Sequence, residues 1–203
     1  MSSSILLEYT NSNIERIVKE RYNYYQTELK SLDISIDNHS VGWKRYPLVD
    51  NMDGTYFHLI TKDYLNKEGY CCPTQFIKCD RVFDYNPMMA EEYADDKKRT
   101  ICGLRTLRLT TVRDMIVNNE GLLVWQREES HKKGLRTRIK ILDEKNKYFI
   151  VFDKRSNGSI YYWTSYPVYS HTIERLKKEY NRAPERDKCI SIIAKARDAT
   201  LFV

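Results

Sequence analysis

The chain has no apolar run near the roughly 20 residues that a membrane-crossing helix needs, and 31% of its 203 residues are charged. No membrane-spanning segment is therefore expected. The amino terminus, MSSSILLEYTNSN, lacks the basic start, long apolar middle and small-residue cleavage site of a secretory leader, so a cytoplasmic location is expected. Cysteine is scarce and odd in number: Cys71, Cys72, Cys79, Cys102 and Cys189. The pair Cys71-Cys72 is adjacent, and neither a CxxC pair nor a histidine at zinc spacing accompanies it. Reduced, inert thiols are the simplest reading, against a disulfide framework or a zinc site. The sequence also lacks a carboxylate cluster suited to a catalytic metal, an internal repeat and any low-complexity stretch. Neither a metal nor a cofactor is expected.

Positive charge is present and unevenly placed. The whole chain carries +6, yet from Lys97 to Arg155 sixteen Lys and Arg face seven acids, an excess of nine. The remainder is mildly acidic. Such concentration is the electrostatic footprint of a partner rich in phosphate, although a solvated lysine-rich surface would give the same count.

The length suits one domain with a helical extension. Residues 11–32 have a stripe at Ile14, Ile17, Val18, Arg21, Tyr25 and Leu29 with Ser12 and Glu15 at capping-box spacing, which predicts an amphipathic helix. Residues 33–53 have no clear period and read as a connector, with a short strand near Trp43. Residues 1–50 thus form a helical extension and connector, and residues 51–203 the main domain. Within the latter, TYFHLIT (55–61) is rich in β-branched and aromatic residues and reads as a strand. A short strand is expected at Gln75–Lys78, a short helix at Met88–Tyr93 and another helix at Thr110–Asn118. Four strands follow, at 121–127, 135–142, 147–153 and 159–166. Short connections, with Lys145-Asn146 and Asn157-Gly158 as hairpin signals, predict an antiparallel meander. Pro167 should end the sheet, with helices then expected at His171–Asn181 and Pro184–Thr200. The predicted fold is α+β: an antiparallel sheet of four to five strands packed by helices.

The segment GLRTRIKILDEKNKYFIVFDKRSNGSIYYWTSYPVYSHTIERLKKEY (134–180) concentrates the polar chemistry. Arg136, Arg138 and Lys140 are spaced two apart, so a strand presents all three on one face. Thr164 and Tyr166 share a face by the same alternation, and His171 follows just past Pro167. A solvated strand face and plain β-propensity are the competing accounts, and His171 can be a simple helix-start residue. His58 lies between Phe57 and Leu59, where a structural imidazole is the alternative to a functional one. Arg105, Arg108 and Arg113 precede or enter the 110–118 helix; ion-paired surface is their usual fate and phosphate contact the second reading. His39 and His131 occupy polar, loop-like settings and are expected to be exposed and uninvolved.

The run of Tyr56-Phe57-His58-Leu59, LRLTTVRDMIVN, LLVWQRE, RTRIKILDEKNKYFIVF and YYWTSYPVYSHTIERLKKEY, in this order over residues 55–182, resembles the phage-associated branch of the barnase, EndoU, colicin and RelE-like nuclease superfamily. That family's pattern is a basic strand, a strand ending in a Thr-Ala-Tyr-like sequence, and a His before a Lys-Glu-Tyr helix. The resemblance implies RNA cleavage without metal, by attack of a 2′-hydroxyl on the adjacent phosphate. His58 and His171 would transfer protons, since imidazole titrates near neutrality. Arg138, with Arg136 or Lys140, would hold the phosphate through charged hydrogen bonds. Thr164 and Tyr166 would position the substrate, with Arg105, Arg108 and Arg113 as further RNA contacts. The implied setting is a phage or mobile-element toxin acting on tRNA or mRNA, with a neutralising antitoxin or immunity partner. The alternative is a module of the same fold that binds nucleic acid or a host protein without catalysis; a basic face docking an acidic protein is a third reading.

Overall fold

The apolar stripe of the first helix is buried at Ile17, Val18, Tyr25 and Leu29, as an amphipathic period requires. The helix is α1 (Ile14–Tyr24), continued by one π-helical stretch at Tyr25–Leu29. The computed structural model describes residues 14–45, 48, 51–63, 99–131, 134–184 and 192–196. They fall into two compact units that interleave along the chain: residues 1–25 with 45–109, and residues 26–44 with 110–203. The chain passes between them at 25/26, 44/45 and 109/110.

In the first unit, α1 is joined by α2 (Gly54–Ile60), a two-stranded ribbon of β3 (Thr61–Asp63) and β4 (Arg99–Ile101), and α3 (Gly103–Leu107). The strand expected at 55–61 is therefore a helix. Every residue of α2 except His58 is buried, so no polar face marks the helical period. A short, largely apolar run is ambiguous between strand and buried helix. Tyr22, Tyr25 and Tyr56 cluster with ring centroids 5.0–6.0 Å apart. The Tyr56 hydroxyl donates to the Val18 carbonyl at 2.6 Å, tying α2 to α1. The strand expected at 75–78 and the helix at 88–93 lie outside the described residues.

The second unit is built on a mixed sheet of seven strands among the described residues, in the order β5-β6-β7-β8-β2-β1-β9. Its strands are β1 (Leu32–Ile36), β2 (His39–Gly42), β5 (Leu123–His131), β6 (Gly134–Asp143), β7 (Tyr148–Lys154), β8 (Ile160–Pro167) and β9 (Ile192–Ala196). The meander from β5 to β8 is antiparallel, as expected, and β8 ends at Pro167. The rest corrects the expected four- to five-stranded antiparallel sheet. Residues 33–42, read as connector, form with Leu32 a hairpin whose β2 pairs parallel to β8. Its turn places Asp37 and Asn38 at positive φ, where those side chains are tolerated better than most. The stretch 192–196, expected to be helical, is the strand β9, paired antiparallel along β1 from Leu32↔Ala196 to Ile36↔Ile192. Helix α4 (Thr110–Val117) packs on β9 and buries Val112, Met115 and Ile116.

Helix α5 (Ser170–Arg182) places Ile173, Leu176 and Tyr180, with Ala183 at its carboxyl cap, against Trp125, Leu142, Phe149, Val151 and Val168. That spacing is one face of a helix, and it covers one end of the same sheet face that carries the Arg136, Arg138, Lys140 row.

Candidate nucleic-acid interface

Register decides who shares the cationic face. Arg138 pairs across from Arg127 on β5 and Asp153 on β7, and Lys140 across from Trp125 and Val151. Val151 and Phe149 in turn face Thr164 and Tyr166, so the expected common face of Thr164 and Tyr166 is the cationic one. Between Val151 and Phe152 the register slips, leaving Trp163 as the extra residue of a bulge on β8. A bulge re-aims the side chains beside it. Here Trp163 joins the cationic face, with the Arg138 guanidinium 4.4 Å and the Lys44 ammonium 4.6 Å from its ring centre.

These residues enclose an open cleft of about 320 Å³. Arg138, Lys140, Val151, Trp163, Thr164 and Tyr166 line its floor on β6, β7 and β8; Glu129 comes from β5, and Arg175, Leu176 and Glu179 from α5. Four of the ten expected site residues thus converge. Arg136 lies on the same face, 29% exposed and 3.7 Å from the Asp153 carboxylate.

The other five lie elsewhere. His171 is exposed on the first turn of α5, stacked on Tyr169, and lines no part of the cleft. His58 stands half-buried on α2 of the first unit. Arg105, also in the first unit, donates to the Thr61 carbonyl and so braces the α2–β3 junction. Arg108 closes α3 at its carboxyl end. Arg113, on α4, faces Glu28 at 3.4 Å.

The cleft's cations are matched by acids that sequence reasoning passed over. Lys140 donates to Glu129 at 2.5 Å and Glu179 at 2.6 Å. Glu179 also accepts from the Trp125 indole at 3.1 Å and faces Arg127 at 3.4 Å. Burial pushes the Glu179 carboxyl up, but Lys140 and Trp125, helped by Arg127, hold it below its ordinary value, so it stays ionised. Burial pushes Arg138 down, opposed by Asp153 and Glu129; a guanidinium nonetheless keeps its charge at neutral pH. Lys44 is likewise lowered by burial, with Asp153 opposing.

Two polar atoms of the cleft residues have no hydrogen-bond partner. The Thr164 hydroxyl is one, on a residue 9% exposed; Arg138 Nη1, on a residue 7% exposed, is the other. Arg138 Nη1 lies 3.2 Å from Asp153 Oδ1, close enough for Coulomb attraction but without hydrogen-bond alignment. Buried polar groups are nearly always satisfied, and each exception has a cost of about 1–3 kcal/mol. Two such exceptions on cleft-lining residues suit a ligand with acceptor oxygens. Among the described residues, no group of three or more His, Cys, Asp or Glu is placed to hold a metal ion, and no helix is long and apolar enough to cross a membrane.

Trp163, Glu129, Arg175 and Glu179 are polar or aromatic cleft residues that the sequence did not single out. Glu179 alone left a signal, as an acid flanking the Ile173, Leu176, Tyr180 stripe. Comparison with protein-family models, curated proteins and solved structures finds no match for the chain.

Proposed function

We propose that the cationic face of the second unit binds RNA through its phosphodiester backbone. The observation that carries this reading is the juxtaposition, in one cleft, of Arg138 and Lys140 with the unsatisfied Thr164 hydroxyl and the unsatisfied Arg138 Nη1. A phosphodiester supplies two acceptor oxygens and one negative charge, which is what such a set lacks. Arg138, braced against the Trp163 ring, presents a fixed planar fork suited to that geometry. Tyr166 and Trp163 add aromatic surface on which a base can stack.

The test is fluorescence anisotropy of a short labelled oligouridylate over a salt series. Affinity should fall steeply with salt, as phosphate binding does. Arg138→Met should weaken it by roughly ten- to a hundredfold, the worth of a charge-assisted hydrogen bond or two. Salt-independent binding, or an Arg138→Met variant equal to the parent, would overturn the reading.

One observation favours cleavage as a second reading. Glu129 and Glu179 stand in the cleft beside Arg138, Thr164 and Tyr166, and an ionised carboxylate can take a 2′-hydroxyl proton. On this reading the carboxylates act at the phosphate, and His171, on α5 of the same unit, lines no part of the cleft. Incubation with RNA in EDTA and mapping of product ends separates the two. A 2′,3′-cyclic phosphate lost in Glu129→Gln or Glu179→Gln supports cleavage, and tight binding with intact RNA leaves a binding module. Growth arrest on expression, relieved by Arg138→Met, tests the toxin setting.

A further inference from the structure

We infer that Glu129 is an internal stand-in for the ligand phosphate, a carboxylate that occupies the cleft's cations and is displaced when a phosphodiester binds. The inference rests on the RNA-binding reading and concerns how that same site is regulated. Glu129 holds Lys140 at 2.5 Å and reaches Arg138 only at 4.0 Å. The two carboxylates of the cleft differ in how firmly they are held. Glu179 is 17% exposed and is held by Lys140, Trp125 and Arg127. Glu129 is 43% exposed, lies on β5 at the end of the strand order, and among the described residues its ion pairs are with the two cations that a phosphate would need. Glu179 is therefore the fixed acid and Glu129 the exchangeable one.

Charge supports the exchange. The linked groups Arg127, Arg136, Arg138 and Lys140 are balanced by Asp153, Glu129 and Glu179 to one net positive charge. Swinging one carboxylate into water and admitting one phosphodiester leaves that balance unchanged. A phosphodiester also gains what Glu129 leaves unmet, since Arg138 Nη1 and the Thr164 hydroxyl remain without hydrogen bonds while Glu129 is in place. The ligand class that fits the exchange one for one is a singly charged phosphodiester, as in an RNA or DNA strand.

The experiment compares Glu129→Gln with Glu128→Gln. Glu128 is the exposed neighbour that pairs across from Thr137, on the opposite face of β5. The two variants change net charge equally, so long-range attraction alone would affect them alike. With a labelled oligouridylate lacking terminal phosphates as probe, Glu129→Gln should bind on the order of five- to tenfold tighter than the parent. Glu128→Gln should stay near the parent, and the difference should persist at high salt, where distant charges are screened. Equal tightening by both variants, or weaker binding by Glu129→Gln, overturns the exchange while leaving RNA binding intact. Absence of binding by parent and Glu129→Gln alike overturns the RNA reading itself and the exchange with it.

Discussion

Asp153→Asn tests whether the cationic face is held together by its buried acid. The Asp153 side chain is 3% exposed and lies 3.2 Å from Arg138 Nη1, itself on a side chain only 8% exposed, with Arg136 at 3.7 Å. The substitution keeps the shape and removes the charge, leaving the Arg138 guanidinium buried without its nearest counter-ion. Removing one partner of a buried pair costs about 3–5 kcal/mol. Three features lower that figure here: Glu129 at 4.0 Å remains, the Trp163 ring still faces the cation, and Arg136 is exposed enough to turn to water. A loss of about 2 kcal/mol is the expected outcome, or a fall in Tm of roughly 4–8 °C for a chain of this size. The tryptophans make the assay selective. All three, Trp43, Trp125 and Trp163, belong to the second unit, so urea unfolding followed by indole fluorescence reports on that unit. Replacing Arg138 by Met in the Asp153→Asn background should restore about 1 kcal/mol or more, because the unpaired charge goes too. A loss under about 0.5 kcal/mol, or a double variant less stable than Asp153→Asn, would refute the idea of a desolvated pair.

Two further perturbations probe the same unit. Glu179 is held below its ordinary pKa of 4.5, so its contribution is present above that value and is lost as pH falls through the lower folded-state value. The stability gap between parent and Glu179→Gln should therefore be constant near neutrality and shrink as the pH falls below that ordinary value; a gap that widens in acid contradicts the assignment. Gly42→Ala would place a Cβ 2.9 Å from two ring carbons of Tyr161, the residue paired with Gly42 across the parallel junction. Overpacking of about 1–3 kcal/mol should outweigh the roughly 0.4–1 kcal/mol gained by restricting the unfolded chain. A net loss near 1 kcal/mol in urea unfolding is expected, and a stabilised variant would show that Tyr161 yields freely.

Local pattern made the meander, α4 and α5 legible. Alternation over 135–142 and 147–153, turn residues at 145–146 and 157–158, and the stripe through Ile173, Leu176 and Tyr180 each reflect a period fixed by backbone geometry. The strand β1 was missed although LDISI alternates buried and exposed; five residues are too few to stand out beside a long helical pattern. Helix α2 misled for the opposite reason, having no polar face at all. The strand IIAKA at 192–196 depends on hydrogen bonds to residues 32–36, and nothing near it in sequence records that partner.

The sequence by itself determined that Arg136, Arg138 and Lys140 share one strand face and that Thr164 and Tyr166 share another, because side-chain alternation is a property of each strand alone. Only the tertiary structure decided that the two faces are one, through the register of β6, β7 and β8. It also brought Glu129 and Glu179 onto Lys140, swung Trp163 beneath Arg138 at a bulge, and put His58 in a separate unit from the cleft. These are outcomes of pairing between segments far apart in the chain. Their energy comes from hydrogen bonds and packing that exist only once the segments meet, so no local period encodes them.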